Sequence, residues 1–218
     1  MNKMVGTLLV FSGELSLADE DVNESMDASS DGIVTISNVA GSVEVEGWSR
    51  NRVEVTGTIG DDVEELIFER DDDEILIKVK VPRRNSRDIS SELEVKIPQG
   101  SSLRINTVSA DIDVENVAGE QRLEAVSGDI TTVAAGSDID AKTVSGDVEI
   151  GGQNQPTRTR LNSVSGDIDA ESLAGEIAAE SVSGDITVTD SAFERASLQT
   201  VNGDLVFHAR LHGTTRLD

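Results

Sequence analysis

The chain has 218 residues, with a net charge of −24 at neutral pH, 37% hydrophobic residues, 2% aromatic residues and no cysteine. So acidic a surface excludes phosphate-backbone binding, which needs Lys and Arg, and disfavours docking on an anionic membrane. The lack of Cys excludes disulfides, thiolate metal sites and a Cys nucleophile.

Excess acid, with only 18 Lys and Arg, also suits a chain adapted to high salt. There the screening length falls to about 3 Å and crowded carboxylates repel weakly. So few rings suit a narrow core of Val, Ile, Leu and Ala, as in a solenoid, better than a broad globular core.

In chain order, Lys3 precedes a short apolar run, Met4 to Phe11, and Ser16 and Ala18 form a small-x-small site before Asp19. This is the layout of a short signal peptide. It would place the protein in the envelope or outside the cell; without it the protein would stay in the cytoplasm. No later segment reaches the roughly 20 apolar residues of a membrane-spanning helix. Residues 19–31 read as an acidic linker, so that 1–31 form an N-terminal segment.

Residues 32–100 read as irregular β rungs that cap or begin a solenoid. Ile33–Ile36, Ser42–Glu46 and Arg52–Thr56 alternate as strands. Glu65–Glu69 and Ile75–Val81 flank the turn residues Asp71–Glu74 as a hairpin. Arg83–Ser90 is a polar loop, and Glu92–Ile97 a strand ended by Pro98.

From 101 to 210 the chain is an internal repeat. One motif recurs as Val108-Ser-Ala-Asp-Ile, Val126-Ser-Gly-Asp-Ile, Val144-Ser-Gly-Asp-Val, Val164-Ser-Gly-Asp-Ile, Val182-Ser-Gly-Asp-Ile and Val201-Asn-Gly-Asp-Leu. Its period is near-constant, as in a solenoid. Weaker copies at Val117, Ala135 and Leu173 fall between them, so two half-coils make a coil. Counted from the acidic residue, apolar residues lie at +1 and +3, which is strand alternation, and at +6, where the period breaks as at a corner. Ile168, Ala170 and Leu173 show the pattern, as do Ile139, Ala141 and Val144.

Gly before the acid suits a tight corner, although Ala110 in the first copy shows that a positive φ is not required. The expected fold is all-β, a single-domain parallel β-solenoid (β-helix) with coils of about 18–20 residues and two short strands per coil. Gly151–Pro156 should loop out of it, and residues 211–218 should form a C-terminal tail.

Val95-Lys-Ile-Pro-Gln-Gly, then Leu103-Arg-Ile-Asn-Thr-Val-Ser-Ala-Asp-Ile, then the serial motif resembles the adhesin-like β-strand-repeat family. That family is a domain of unknown function that often carries the label "putative adhesin". The resemblance implies a β-solenoid in envelope-associated proteins, with no catalytic residues.

Three site readings follow. The first is a cation ladder: Asp111, Asp129, Asp147, Asp167, Asp185 and Asp204 would stack along one edge and could share Ca²⁺ through carboxylate oxygens. Asp113, Asp140, Glu149 and Asp169 would add a second outward row. Against it, corner aspartates commonly bond backbone amides of their own turn, and the Gly-Gly-x-Gly-x-Asp calcium pattern is absent.

The second reading is a carboxylate pair for polysaccharide cleavage, disfavoured because the rings that stack sugars are nearly absent. Trp48 stands alone, and Phe193 and Phe207 read as core. The third rests on His208 and His212, the only two histidines, which any Ser/His/Asp or histidine-metal site would have to use.

The preferred reading is a non-catalytic acidic solenoid with no cofactor. It would serve as a surface or envelope-associated interaction module for a protein or surface-polymer partner, and not for nucleic acid.

Overall fold

The computed structural model describes residues 20–82 and 88–217. It is all-β, with no helix among the described residues and none long and apolar enough to cross a membrane. Among the described residues, sixteen strands join one mostly parallel sheet.

The first half builds one end. Strand β1 (Glu20–Asp27) pairs antiparallel with β3 (Arg52–Ile59), which pairs antiparallel with β6 (Ser90–Pro98). The 16-residue β2 (Ile33–Trp48) takes β6 on one half and β5 (Glu74–Lys80) on the other. Strand β4 (Glu65–Asp71) closes the expected hairpin on β5, with Asp72 at φ 53° in the turn. Lys80 bonds Glu64 at 3.0 Å, and that hydrogen bond, with the charge of Glu64, raises the Lys80 pKa.

Thus the acidic stretch expected as a linker is a strand over Glu20–Asp27. Its Val22 reaches the core, Met26 packs against it, and all eight residues pair with β3. The signal-peptide reading and most of the Arg83–Ser90 loop lie outside the described residues.

Strand β7 (Ser102–Glu115) lies in register on β2, and from there the repeat takes over. Strands β8 (Gln121–Glu124), β10 (Ile139–Ser145), β12 (Pro156–Ser165) and β14 (Ala174–Ser183) form one parallel stack. Strands β9 (Ile130–Ala134), β11 (Val148–Gly152) and β13 (Ile168–Glu171) form the second. The long strands β7, β15 (Ile186–Asn202) and β16 (Leu205–Leu217) run through both. Partners sit one sequence repeat apart, as Ile112 with Ile130 and Ile139 with Thr159.

The +1 and +3 positions face inward as expected. One inner row runs Val43, Ile112, Ile130, Val148, Ile168, Ile186, and a second, on the other stack, Ile36, Ile105, Leu123, Ala141, Leu161, Ala179, Leu198; all are at most 2% exposed. Polar side chains are buried in this core too, and two of them pair with each other. The Thr132 hydroxyl donates to Gln121 Oε1 at 2.6 Å, and Gln121 Nε2 donates to the Val117 carbonyl, so both are satisfied by partners inside it.

The +6 position does not behave uniformly. Val117 and Leu173 are buried, whereas Val144 and Val182 are half exposed. The two kinds of half-coil turn differently: the +6 residue turns in after Asp111 and Asp167 of the main motif and out after Asp138 and Glu176 of the weaker copies.

Two further expectations change. Gly151 and Gly152 stay in β11, and only residues 153–155 leave the strands, with the Asn154 amide bonding Ser172 O at 2.9 Å. The expected tail from 211 is strand through Leu217, because its backbone finds partners on β15.

Candidate functional site: the corner ladders

Each Val-Ser-Gly-Asp corner lies directly on the one before it. Its glycines do not have positive φ; among the described glycines, those that do are Gly41, Gly57, Gly136 and Gly175. The motif glycine is there for space. A Cβ on Gly128 would come within 3.0 Å of the Ala110 carbonyl, one on Gly146 equally near Gly128 O, and Gly166, Gly184 and Gly203 repeat the relation. A backbone neighbour cannot swing aside as a side chain can, so the corners stack only without the methyl group. Ala110, in the first copy, lies on Gly41 of β2, whose φ of 107° sets it apart from the motif corners.

The aspartates form a ladder, but not by bonding their own turns. Oδ1 of Asp111 accepts from the amide of Asp129 at 3.0 Å. The series continues from Asp129 to Asp147 at 2.8 Å, Asp147 to Asp167 at 2.8 Å, Asp167 to Asp185 at 2.8 Å and Asp185 to Asp204 at 2.7 Å. Each carboxylate therefore binds the amide of the next coil. This satisfies a corner N–H that the strand ladders leave unpaired, and a charged acceptor makes such a bond stronger than a neutral one.

The second acidic row divides. Asp113, Glu149 and Asp169 lie along the second stack, but Asp140 is on β10 in the first. There it bridges Arg122 and Lys142, each at 3.2 Å. Among the described residues no group of three or more His, Asp or Glu side chains is placed to hold a metal ion.

The cations are segregated too. Arg104, Arg122, Lys142, Arg158, Arg160 and Arg195 all leave the first stack. Glu176 lies between Arg158, at 3.7 Å, and Arg195, at 2.6 Å.

His208 and His212 are exposed on β16. His208 shares a depression with Asp190 and Ser191, which has the residue types of a hydrolytic triad. Ser191 is nevertheless buried, and its hydroxyl donates to Thr189 O at 2.7 Å and accepts from the Leu173 amide at 3.0 Å. That hydroxyl is committed to holding two neighbouring rungs. Trp48 donates through Nε1 to Arg52 O and lies under the Arg50 guanidinium at 4.8 Å. Phe193 is fully buried and stacks on the half-buried Phe207 at 6.3 Å.

Residue signals missed one feature. The motif valines, Val108, Val126, Val144, Val164, Val182 and Val201, all face solvent, five of them 47–48% exposed and Val201 66%. The clue was available: each is followed by a serine or asparagine, also exposed, at the point where the period of two breaks.

Residues 65–215 match the Toastrack DUF4097 family, and the chain belongs to it. No curated protein matches the sequence. A solved structure from Bacteroides fragilis named a "putative adhesin" is similar at 14% identity and TM-score 0.53, covering 94% of this chain and 100% of that one. A Clostridium sporogenes structure named a "putative cell adhesion protein" has 10% identity and TM-score 0.39, with 92% and 100% covered. One from Parabacteroides distasonis named a "putative lipid binding protein" has 15% identity and TM-score 0.39, with 90% and 96% covered. The first supports the fold; nothing rests on the other two.

Proposed function

We propose that this chain is a non-catalytic, acidic β-solenoid, with two short strands in each coil, that serves as a surface or envelope-associated interaction module. The observation that carries the reading is the six-fold repeated corner. It presents an exposed valine at all six corners and, at five of them, an aspartate whose carboxylate binds the amide of the next. A one-dimensional array of identical groups suits multivalent contact with an extended partner. Catalysis instead needs unlike groups converging on one reacting atom. The family resemblance and the name of the Bacteroides fragilis relative point the same way.

The test is to incubate labelled protein with isolated cell envelopes and, separately, with a panel of polysaccharides. Saturable retention on envelopes with no new chain ends is expected. Turnover of any polysaccharide, or no retention at all, would overturn the proposal.

A further inference from the structure

Among the described residues, large exposed apolar side chains occur in two places only: the six motif valines, and Val206, Leu211 and Leu217 on β16. The valines follow one another up the solenoid. The Ser127 amide bonds Val108 O at 2.7 Å, the Ser145 amide bonds Val126 O at 2.9 Å, and Ser145, Ser165, Ser183 and Asn202 then continue in register. At about 4.8 Å per rung, five steps give a stripe about 24 Å long.

Folding does not account for its apolar character. Threonine has the same branched shape and β preference, and this chain uses it at the outward positions Thr131 and Thr187. A contiguous apolar stripe on an otherwise polar surface marks a contact site. Three residues on from each valine stands a ladder aspartate, and the carboxylates of Asp111, Asp129, Asp147, Asp167 and Asp185 are fixed by the amide of the next coil. The corner ridge therefore carries two parallel rows at one pitch, one apolar and one anionic.

We propose that this valine–aspartate ridge docks a cationic amphipathic helix of about 16 residues from a partner protein. The length follows from about 24 Å at about 1.5 Å per residue, and the helical repeat of about 5.4 Å per turn stays close to the rung pitch. A strand laid along the ridge would present same-face residues about 6.7 Å apart and lose step within two rungs. A partner seam of apolar residues flanked by Lys or Arg meets both rows at once.

A second copy of this chain fits worse. It would set aspartate row against aspartate row, and a stripe one valine wide falls short of the roughly 800 Å² per partner that stable pairs bury.

This deepens the interaction-module reading, and the experiment separates the two. A labelled Leu/Lys peptide with helical periodicity, long enough to span the ridge, is titrated by fluorescence anisotropy, beside a scrambled peptide of the same composition. We expect the periodic peptide to bind roughly tenfold more tightly than the scrambled one. V126T/V144T/V164T, which keeps side-chain shape, should lose that advantage. D129N/D147N/D167N, which keeps an oxygen for each amide bond, should weaken binding similarly. E20Q/E24Q, on the edge strand β1 three strands beyond β2, should bind like the parent.

Equal binding of the two peptides, or unchanged binding by both ridge variants, would overturn the proposal. So would a parent dimer in sedimentation that the threonine variant abolishes, since it would give the stripe to a second copy. Envelope retention persisting while peptide binding fails would sink the ridge and leave the interaction module standing.

Discussion

Asp129 accepts a hydrogen bond from the backbone amide of Asp147 at 2.8 Å, one coil further on. An anion thus caps the N–H of a residue that carries the same charge. The carboxylates gain amide bonds and suffer the repulsion of a stacked row, and these opposing terms lead to the first two predictions.

Replacing Asp147 with Asn keeps an acceptor oxygen and removes a charge, whereas Ala removes both. D147A is expected to lower stability by about 1 kcal/mol, the roughly 1.5–3 kcal/mol of a hydrogen bond to a charged group being offset in part by relief of the row's repulsion. D147N should be neutral or stabilising at low salt. Urea denaturation of the two variants side by side measures this; equal losses would show that the amide bond contributes nothing.

Salt should stabilise the protein. With −24 net charge and a continuous carboxylate row, screening relieves repulsion within the folded state. The melting temperature is expected to rise with KCl, less steeply in D129N/D147N/D167N. A flat salt profile followed by circular dichroism would contradict this.

The corner glycines should be sensitive and Gly151 should not. G146A and G166A place a methyl group against a stacked carbonyl and are expected to cost about 1–3 kcal/mol. The nearest atom to a Cβ on Gly151 is the Val133 Cγ2 at 3.8 Å, so G151A should be neutral or slightly stabilising. Thermal melts of the three variants decide it.

In the inner rows, L161A should cost about 2–5 kcal/mol, since Leu161 is fully buried between Ala141 and Ala179. V144T, in the adjacent corner, should change stability by under about 0.5 kcal/mol. A comparable loss from both would mean that the valine stripe is part of the core.

Calcium is expected to leave the melting temperature unchanged at constant ionic strength. Oδ1 of Asp111, Asp129, Asp147, Asp167 and Asp185 is already bound to an amide, whereas Ca²⁺ seeks six to eight oxygens. A saturable upward shift would restore the cation-ladder reading.

The sequence alone determined the repeat, its period and the inward +1 and +3 positions. Strand alternation and burial act on every coil alike, so a local rule repeated six times becomes unambiguous. It also showed, through Ala110, that the corner does not need a left-handed backbone. What the glycine does need could not be read, because the obstacle is a carbonyl on the preceding coil.

The same holds for the aspartates, whose amide partners belong to the next coil, and for Asp140, which the chain's winding placed among arginines. It holds for the acidic Glu20–Asp27, which became a strand only because β3 offered an edge. The direction of the motif valine was likewise decided by how two kinds of corner turn. Periodicity reports which residues are alike; what each one touches is set by stacking, which brings together residues far apart in the chain.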